Sequence, residues 1–131
     1  MTGFEVRQIG RVESALTDPA VAPKQGQEGA PDAWIVIEPG VLDALEGIRP
    51  GARVLVLTWF HRARRDLLRV HPRDDPANPM QGIFNTRSAD RPNPIGVHEV
   101  EVLAVEGARV HVRPLEAIDG TPVVDLKPVL D

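Results

Sequence analysis

Hydrophobic side chains recur at alternate positions in most of the segments that carry them. Phe4, Val6, Ile9 and Val12 interleave with polar residues, and the alternation slips by one near Gly10, which predicts a strand with a bulge over residues 4–13. Ala33-Trp34-Ile35-Val36-Ile37-Glu38 predicts a second strand from its β-branched and aromatic content. Arg53 to Phe60 is the most apolar run and predicts a central strand buried on both faces. Val97 to Val105 alternates, with Val100, Val102 and Ala104 on one face. A turn at Glu106-Gly107 then leads into Ala108 to Arg113, where Val110 and Val112 share a side, so this pair reads as a β-hairpin. The turn Asp119-Gly120-Thr121-Pro122 precedes a last short strand over Val123 to Leu126. Only Val41, Leu42, Ala44, Leu45 and Ile48 fall at helical spacing, predicting one short helix that ends about Gly47.

Strands outnumber the helix and no βαβ alternation occurs. The expected fold class is therefore mainly β, a small antiparallel β-barrel with one short helix, formed by residues 1–131 as a single domain. Thr17 to Asp32 and Arg62 to Gln81 are rich in proline and lack periodicity, so both are expected as loops, the second with a short extended piece near Arg69-Val70-His71.

Composition narrows the chemistry. Apolar residues make up 42% of the 131, enough for a core, yet no run approaches the ~20 that a membrane span needs. No secretory signal is visible at the N-terminus, so a cytoplasmic location is expected. The absence of cysteine excludes disulfides, thiolate metal sites and a cysteine nucleophile. The net charge is −4, which disfavours general nucleic-acid binding. The balance is uneven, however. Residues 61–91 hold seven arginines against four aspartates, so positive charge collects beside one proline-rich segment.

That segment, residues 82–96, contains Arg87, Arg91-Pro92-Asn93-Pro94 and Gly96. Each proline fixes its own φ and pushes the preceding residue out of the helical region, so the stretch runs extended or turned. Such a backbone can hold polar side chains at fixed angles around a ligand. No Gly-x-Gly-x-x-Gly or P-loop is present, the four histidines lack zinc-site spacing, no metal site is expected, and neither Ser14 nor Ser88 lies in a nucleophile elbow. Four segments are candidates for one site at strand ends: Pro23-Lys24-Gln25, His61-Arg62, Arg87 to Gly96, and Asp119 to Pro122.

In this order and spacing the chain resembles the TsaA-like (TrmO) family. The matching text is Ile9-Gly10-Arg11-Val12-Glu13-Ser14, Pro23-Lys24-Gln25, Leu45-Glu46-Gly47-Ile48, Trp59-Phe60-His61, Gly82 to Ser88, Arg91-Pro92-Asn93-Pro94-Ile95-Gly96 and Asp119 to Pro128. The likeness covers about residues 7–130. It implies a barrel that binds S-adenosylmethionine without a Rossmann fold, a homodimer, and methyl transfer to N6 of threonylcarbamoyladenosine near the tRNA anticodon. It further implies cofactor contacts from Pro23, Lys24, Gln25, His61, Arg62, Arg87, Val97 and the turn Ile118, Asp119, Gly120 and Thr121.

The residue chemistry is compatible. Arg87 can pair bidentately with the cofactor carboxylate, Gln25 can read polar edges, and Asp119 can accept from ammonium or ribose. His61 is the candidate proton acceptor because an imidazole titrates nearest neutrality. Asn85, Arg91 and Asn93 are expected to shape the site or meet the methyl acceptor. Asn85, Asp90 and His98 depart from the family's usual residues and are expected on the acceptor side, and a single domain without the C-terminal extension of longer relatives is expected. Three readings follow: methylation of modified adenosine in tRNA, the same fold acting on a small-molecule acceptor, and a non-catalytic module that binds S-adenosylmethionine or adenosine.

Overall fold

The computed structural model of the protein describes residues 3–18 and 29–130. Six antiparallel strands close into a barrel: β1 (Gly10–Glu13), β2 (Ala33–Ile37), β3 (Arg53–Trp59), β6 (Ile95–Glu106), β7 (Arg109–Arg113) and β8 (Pro122–Pro128). Around the barrel the order is β1-β2-β7-β6-β3-β8, and β8 returns to β1 through Gly10 opposite Val123 and Arg11 opposite Pro122. A two-stranded ribbon, β4 (Arg69–Val70) with β5 (Gln81–Gly82), lies outside it. Closure leaves the barrel without free edges, which removes the hazard of unpaired strand groups.

The alternating side chains face one interior. Val12, Ile35, Val56, Val102, Val110 and Val123 are almost wholly buried there, and Leu115 closes one end at 0% exposure. β3 corrects the expectation of burial on both faces. Val54, Val56 and Thr58 point inward, whereas Leu55, Leu57 and Trp59 are half-buried on the outside. A barrel has only one inner face, so an apolar run in it is half outward.

Three further expectations are adjusted. The strand predicted over residues 4–13 begins only at Gly10, and Phe4 and Val6 are exposed. Gly10 already opposes Ile37, the last residue of β2, and Ile9 adds one bond to each side, to Val123 and Glu38, beyond which Phe4 and Val6 meet no strand. The predicted helix is a 3-10 turn pair, Pro39–Leu45, broken at Val41 (φ −125°, ψ 18°), which lays Val41, Leu45 and Ile48 against the core. The β6–β7 hairpin forms, with its turn at Gly107-Ala108 rather than Glu106-Gly107. A register shift between Val102 and Ala104 pairs Val105 with Val110, so Ala104 leaves the buried face of Val100 and Val102.

Candidate functional site

The backbone at one end of the barrel is tied into a cleft by its own polar groups. Where β3 ends, Phe60 N–H donates to the Pro94 carbonyl at 2.8 Å, which fastens the strand end to the proline-rich segment. Arg91 N–H donates to the Arg64 carbonyl at 3.0 Å, and Asp90 accepts the Arg64 N–H at 2.8 Å. The Arg91 guanidinium lies inside the turn, donating to the carbonyls of Thr86 and Ser88 at 3.0 Å and of Ile83 at 3.3 Å. The Ile83 carbonyl also accepts the Thr86 N–H at 3.1 Å, whereas those of Thr86 and Ser88 lie in a loop outside any sheet and are satisfied by the Arg91 side chain.

The resulting cleft has a volume of about 390 Å³, within the roughly 300–1,000 Å³ typical of small-molecule sites. One wall is Phe60 to Ala63, a second is Thr86 to Asp90, and a third is the loop Val70 to Asp74. The last of these carries Arg73 and Asp74 at φ 59° and 57°, left-handed conformations that non-glycine residues adopt at a cost of order 1–3 kcal/mol each. The floor is Glu116, Ala117, Ile118 and Thr121.

His61, Arg62, Arg87, Ile118 and Thr121, drawn from three distant segments, all line this cleft. Pro23, Lys24 and Gln25 lie outside the described residues. Asp119 and Gly120 form the turn behind the floor: Asp119 accepts the Ser14 N–H at 3.0 Å, and Gly120 N–H donates to the Val12 carbonyl at 2.7 Å. That turn docks the chain after β1 through one carboxylate oxygen of Asp119, Oδ1. Val97 sits on the outward face of β6, 36% exposed and away from the cleft.

The residues expected to shape the site or meet the acceptor make internal bonds. Arg91 is the internal brace described above, Asn93 accepts from Arg65 at 3.2 Å, and Asn85 donates to Gln81 at 2.9 Å. Arg65 also donates to the Pro92 carbonyl at 2.7 Å and lies 5.0 Å above the Trp59 ring. Arg64 pairs with Asp66; their hydrogen bond holds the Asp66 carboxyl below the usual carboxylate range and raises Arg64. Arg62, Arg69 and Arg87 have no hydrogen-bond or ion-pair partner among the described residues.

His98, expected on the acceptor side, is a buried residue of β6. It is 3% exposed beneath the cleft floor, its Nε2 2.7 Å from Thr58 Oγ1 and its Nδ1 bonded to the Glu116 carboxylate. Phe60 packs edge-on against its ring at 5.8 Å. Glu116 was not legible as a site residue. The available signal was a lone acid between Leu115 and Ala117-Ile118, a charge where its neighbours are all buried. Among the described residues no group of three His, Asp or Glu could hold a metal ion, and no helix is long and apolar enough to cross a membrane.

The donors in the cleft suit S-adenosylmethionine: an apolar floor for its carbon skeleton, unpartnered guanidiniums at Arg62 and Arg87 for its carboxylate, and a carboxylate, Glu116, for positive charge. Comparison with known proteins points the same way. The tRNA-methyltransferase O N-terminal domain family model matches residues 11–131. The chain is 41% identical over 125 residues to a "Probable S-adenosyl-L-methionine-binding protein" of Methanothermobacter thermautotrophicus, covering 95% of this chain and 89% of the relative. It is 41% identical over 122 residues to the S-adenosyl-L-methionine-binding protein of Archaeoglobus fulgidus, covering 93% and 86%. Its fold is similar to the crystal structure of TrmO from Pseudomonas aeruginosa, with a TM-score of 0.77 and 28% identity over 98% of this chain and 57% of that one. The chain thus spans little more than half the length of that solved protein.

Proposed function

The chain belongs to the tRNA-methyltransferase O N-terminal domain family, and from that membership we propose that it is an S-adenosylmethionine-dependent methyltransferase whose acceptor is N6 of threonylcarbamoyladenosine in tRNA. The observation that carries this reading is the single cleft shared by His61-Arg62, Arg87 and the Ile118–Thr121 turn. S-adenosylmethionine, when bound, would supply an electrophilic methyl group on its sulfonium, with the C–S electron pair left on sulfur and the acceptor's N–H proton passed to a base. The chain's own task is alignment, which can account for much of such a reaction's acceleration. Arg87 and Arg62 hold the cofactor carboxylate at the rim, Phe60 and Ile118 exclude water from the floor, and His61 takes the acceptor's proton at its free ring nitrogen.

The Arg62 and Arg69 side chains are exposed and have no partner among the described residues, which suits phosphate contacts. Arg64 and Arg65 are committed within the chain, which leaves fewer cations for tRNA and favours, as a second reading, a small-molecule acceptor in the same cleft. A homodimer accounts for Val97: with Ile95, Leu57 and Trp59 it forms an apolar strip on the outside of β6 and β3, where a second copy can cover it. Titration calorimetry tests the cofactor assignment. Wild type binds S-adenosylmethionine, and Arg87→Ala weakens binding at least ~10-fold, the loss of one charge-assisted pair. Undiminished binding by Arg87→Ala removes the carboxylate role. Affinity for bulk tRNA that falls steeply with salt supports the tRNA acceptor, and no binding at low salt supports the small molecule.

A further inference from the structure

Given that the cleft takes S-adenosylmethionine, we propose that the Glu116 carboxylate faces the sulfonium of the bound cofactor, and that His98 and Thr58 are the positioning residues that hold it there. Three carboxylates line the cleft: Asp74, Asp90 and Glu116. Asp74 is exposed on the outer loop, and Asp90 is engaged by the Arg64 N–H. Glu116 alone lies in the floor, its side chain 11% exposed, with one oxygen bonded to His98 and no other partner among the described residues.

The support beneath it is unusually complete. A carboxylate only accepts, so His98 Nδ1 donates to Glu116, and the other ring nitrogen, Nε2, lies 2.7 Å from the Thr58 hydroxyl. Thr58 is 0% exposed and the His98 side chain 1%, so neither can swing away to water. Phe60 closes the ring's edge. The barrel therefore uses two buried polar groups, Thr58 and His98, to orient one carboxylate, across sequence separations of 40 and 18 residues.

A desolvated carboxylate aimed into an apolar floor calls for a cation that does not depend on N–H hydration. The cofactor has two positive groups. Its ammonium is strongly hydrated and adjoins its own carboxylate, which the guanidiniums of Arg62 and Arg87 draw to the exposed rim, alongside His61 and Arg73. Its sulfonium has no N–H and sits between carbon substituents, so it fits the floor. The product, S-adenosylhomocysteine, is a neutral thioether that retains the ammonium, so a carboxylate facing sulfur distinguishes the two ligands and one facing the ammonium does not.

The experiment is calorimetric titration of wild type and Glu116→Gln with each ligand. Glutamine keeps the oxygen that accepts from His98 and removes the charge. We expect S-adenosylmethionine to bind roughly tenfold more weakly and S-adenosylhomocysteine to change by less than about twofold. Equal weakening of both assigns the carboxylate to the ammonium and overturns the proposal, as does no weakening of either. Wild type that binds neither ligand overturns the cofactor reading itself. Should Glu116→Gln fail to fold, Glu116→Asp, which keeps the charge but withdraws it by one methylene, must still shift the ratio of the two affinities in the same direction. Thr58→Val, which frees the His98 ring, shifts that ratio too if His98 positions Glu116, and leaves it unchanged if the pair is only structural.

Discussion

Replacing Gly96 with alanine tests how the cleft wall is packed. Gly96 opposes Thr58 across the β6–β3 ladder, and a Cβ built on it lies 2.6 Å from both Phe60 Cε2 and Thr58 Oγ1. Carbon atoms prefer about 3.5–4.0 Å, so each contact is about 1 Å too close. Neither neighbour yields freely. Thr58 Oγ1 is bonded to His98, and Phe60 is fastened through its N–H to Pro94 while its ring edge meets His98. Relief requires the Phe60 ring to rotate into the cleft it lines. Overpacking of this kind costs about 1–3 kcal/mol, or a fall in Tm of roughly 5–10 °C for a chain of this size. Urea denaturation of Gly96→Ala reads the stability, and calorimetry with S-adenosylmethionine reads the accompanying loss of affinity. Gly82→Ala is the control. Its φ is −61° and its added methyl meets no atom within 4 Å, so it is neutral or stabilising by up to about 1 kcal/mol. Gly96→Ala as stable as Gly82→Ala, with unchanged binding, would refute the packing argument.

Arg91→Ala leaves the carbonyls of Ile83, Thr86 and Ser88 without their shared donor, so stability falls by about 2–3 kcal/mol and amides from 86 to 91 exchange faster; wild-type exchange there would show that the loop holds itself. Asp32 is exposed at the barrel surface and accepts from His111 Nε2 at 2.5 Å, a bond that holds its carboxyl below the usual value of 3.8. A depressed folded value means that the stabilisation is present above the unfolded value and lost as pH falls through the folded one. The Tm difference between wild type and Asp32→Asn therefore persists from neutral pH down to about 4 and vanishes at lower pH. A difference independent of pH would rule this linkage out.

Much of the fold was legible because strand alternation is local. β2, the β6–β7 hairpin and β8 stand close to where periodicity and turn residues place them, and proline chemistry alone shows that residues 91–94 are neither helix nor central strand. Sequence failed where partners decide. Phe4 and Val6 alternate like strand residues, but β2 ends opposite Gly10 and leaves them nothing to pair with. Val41 to Ile48 carry helical spacing, but the chain kinks at Val41 (φ −125°, ψ 18°) and forms 3-10 turns that lay Val41, Leu45 and Ile48 on the barrel.

The candidate site divides in the same way. Residue type and position at strand ends grouped Pro23-Lys24-Gln25, His61-Arg62, Arg87 to Gly96 and Asp119 to Pro122 as candidates for one site, and the family resemblance added Ile118; of these, His61, Arg62, Arg87, Ile118 and Thr121 line the cleft. The fate of each polar group was set by the closed barrel. It set Arg91 inside the loop as a brace, tied exposed Arg65 to Pro92 and exposed Arg64 to Asp66, brought Thr58, His98 and Glu116 together beneath the floor, and joined one Asp119 oxygen to the chain after β1. The physical reason is one of range. Backbone preference and periodicity act over a few neighbouring residues, whereas buried donors and acceptors are satisfied by groups up to a hundred positions away, and only closure of the barrel chooses which.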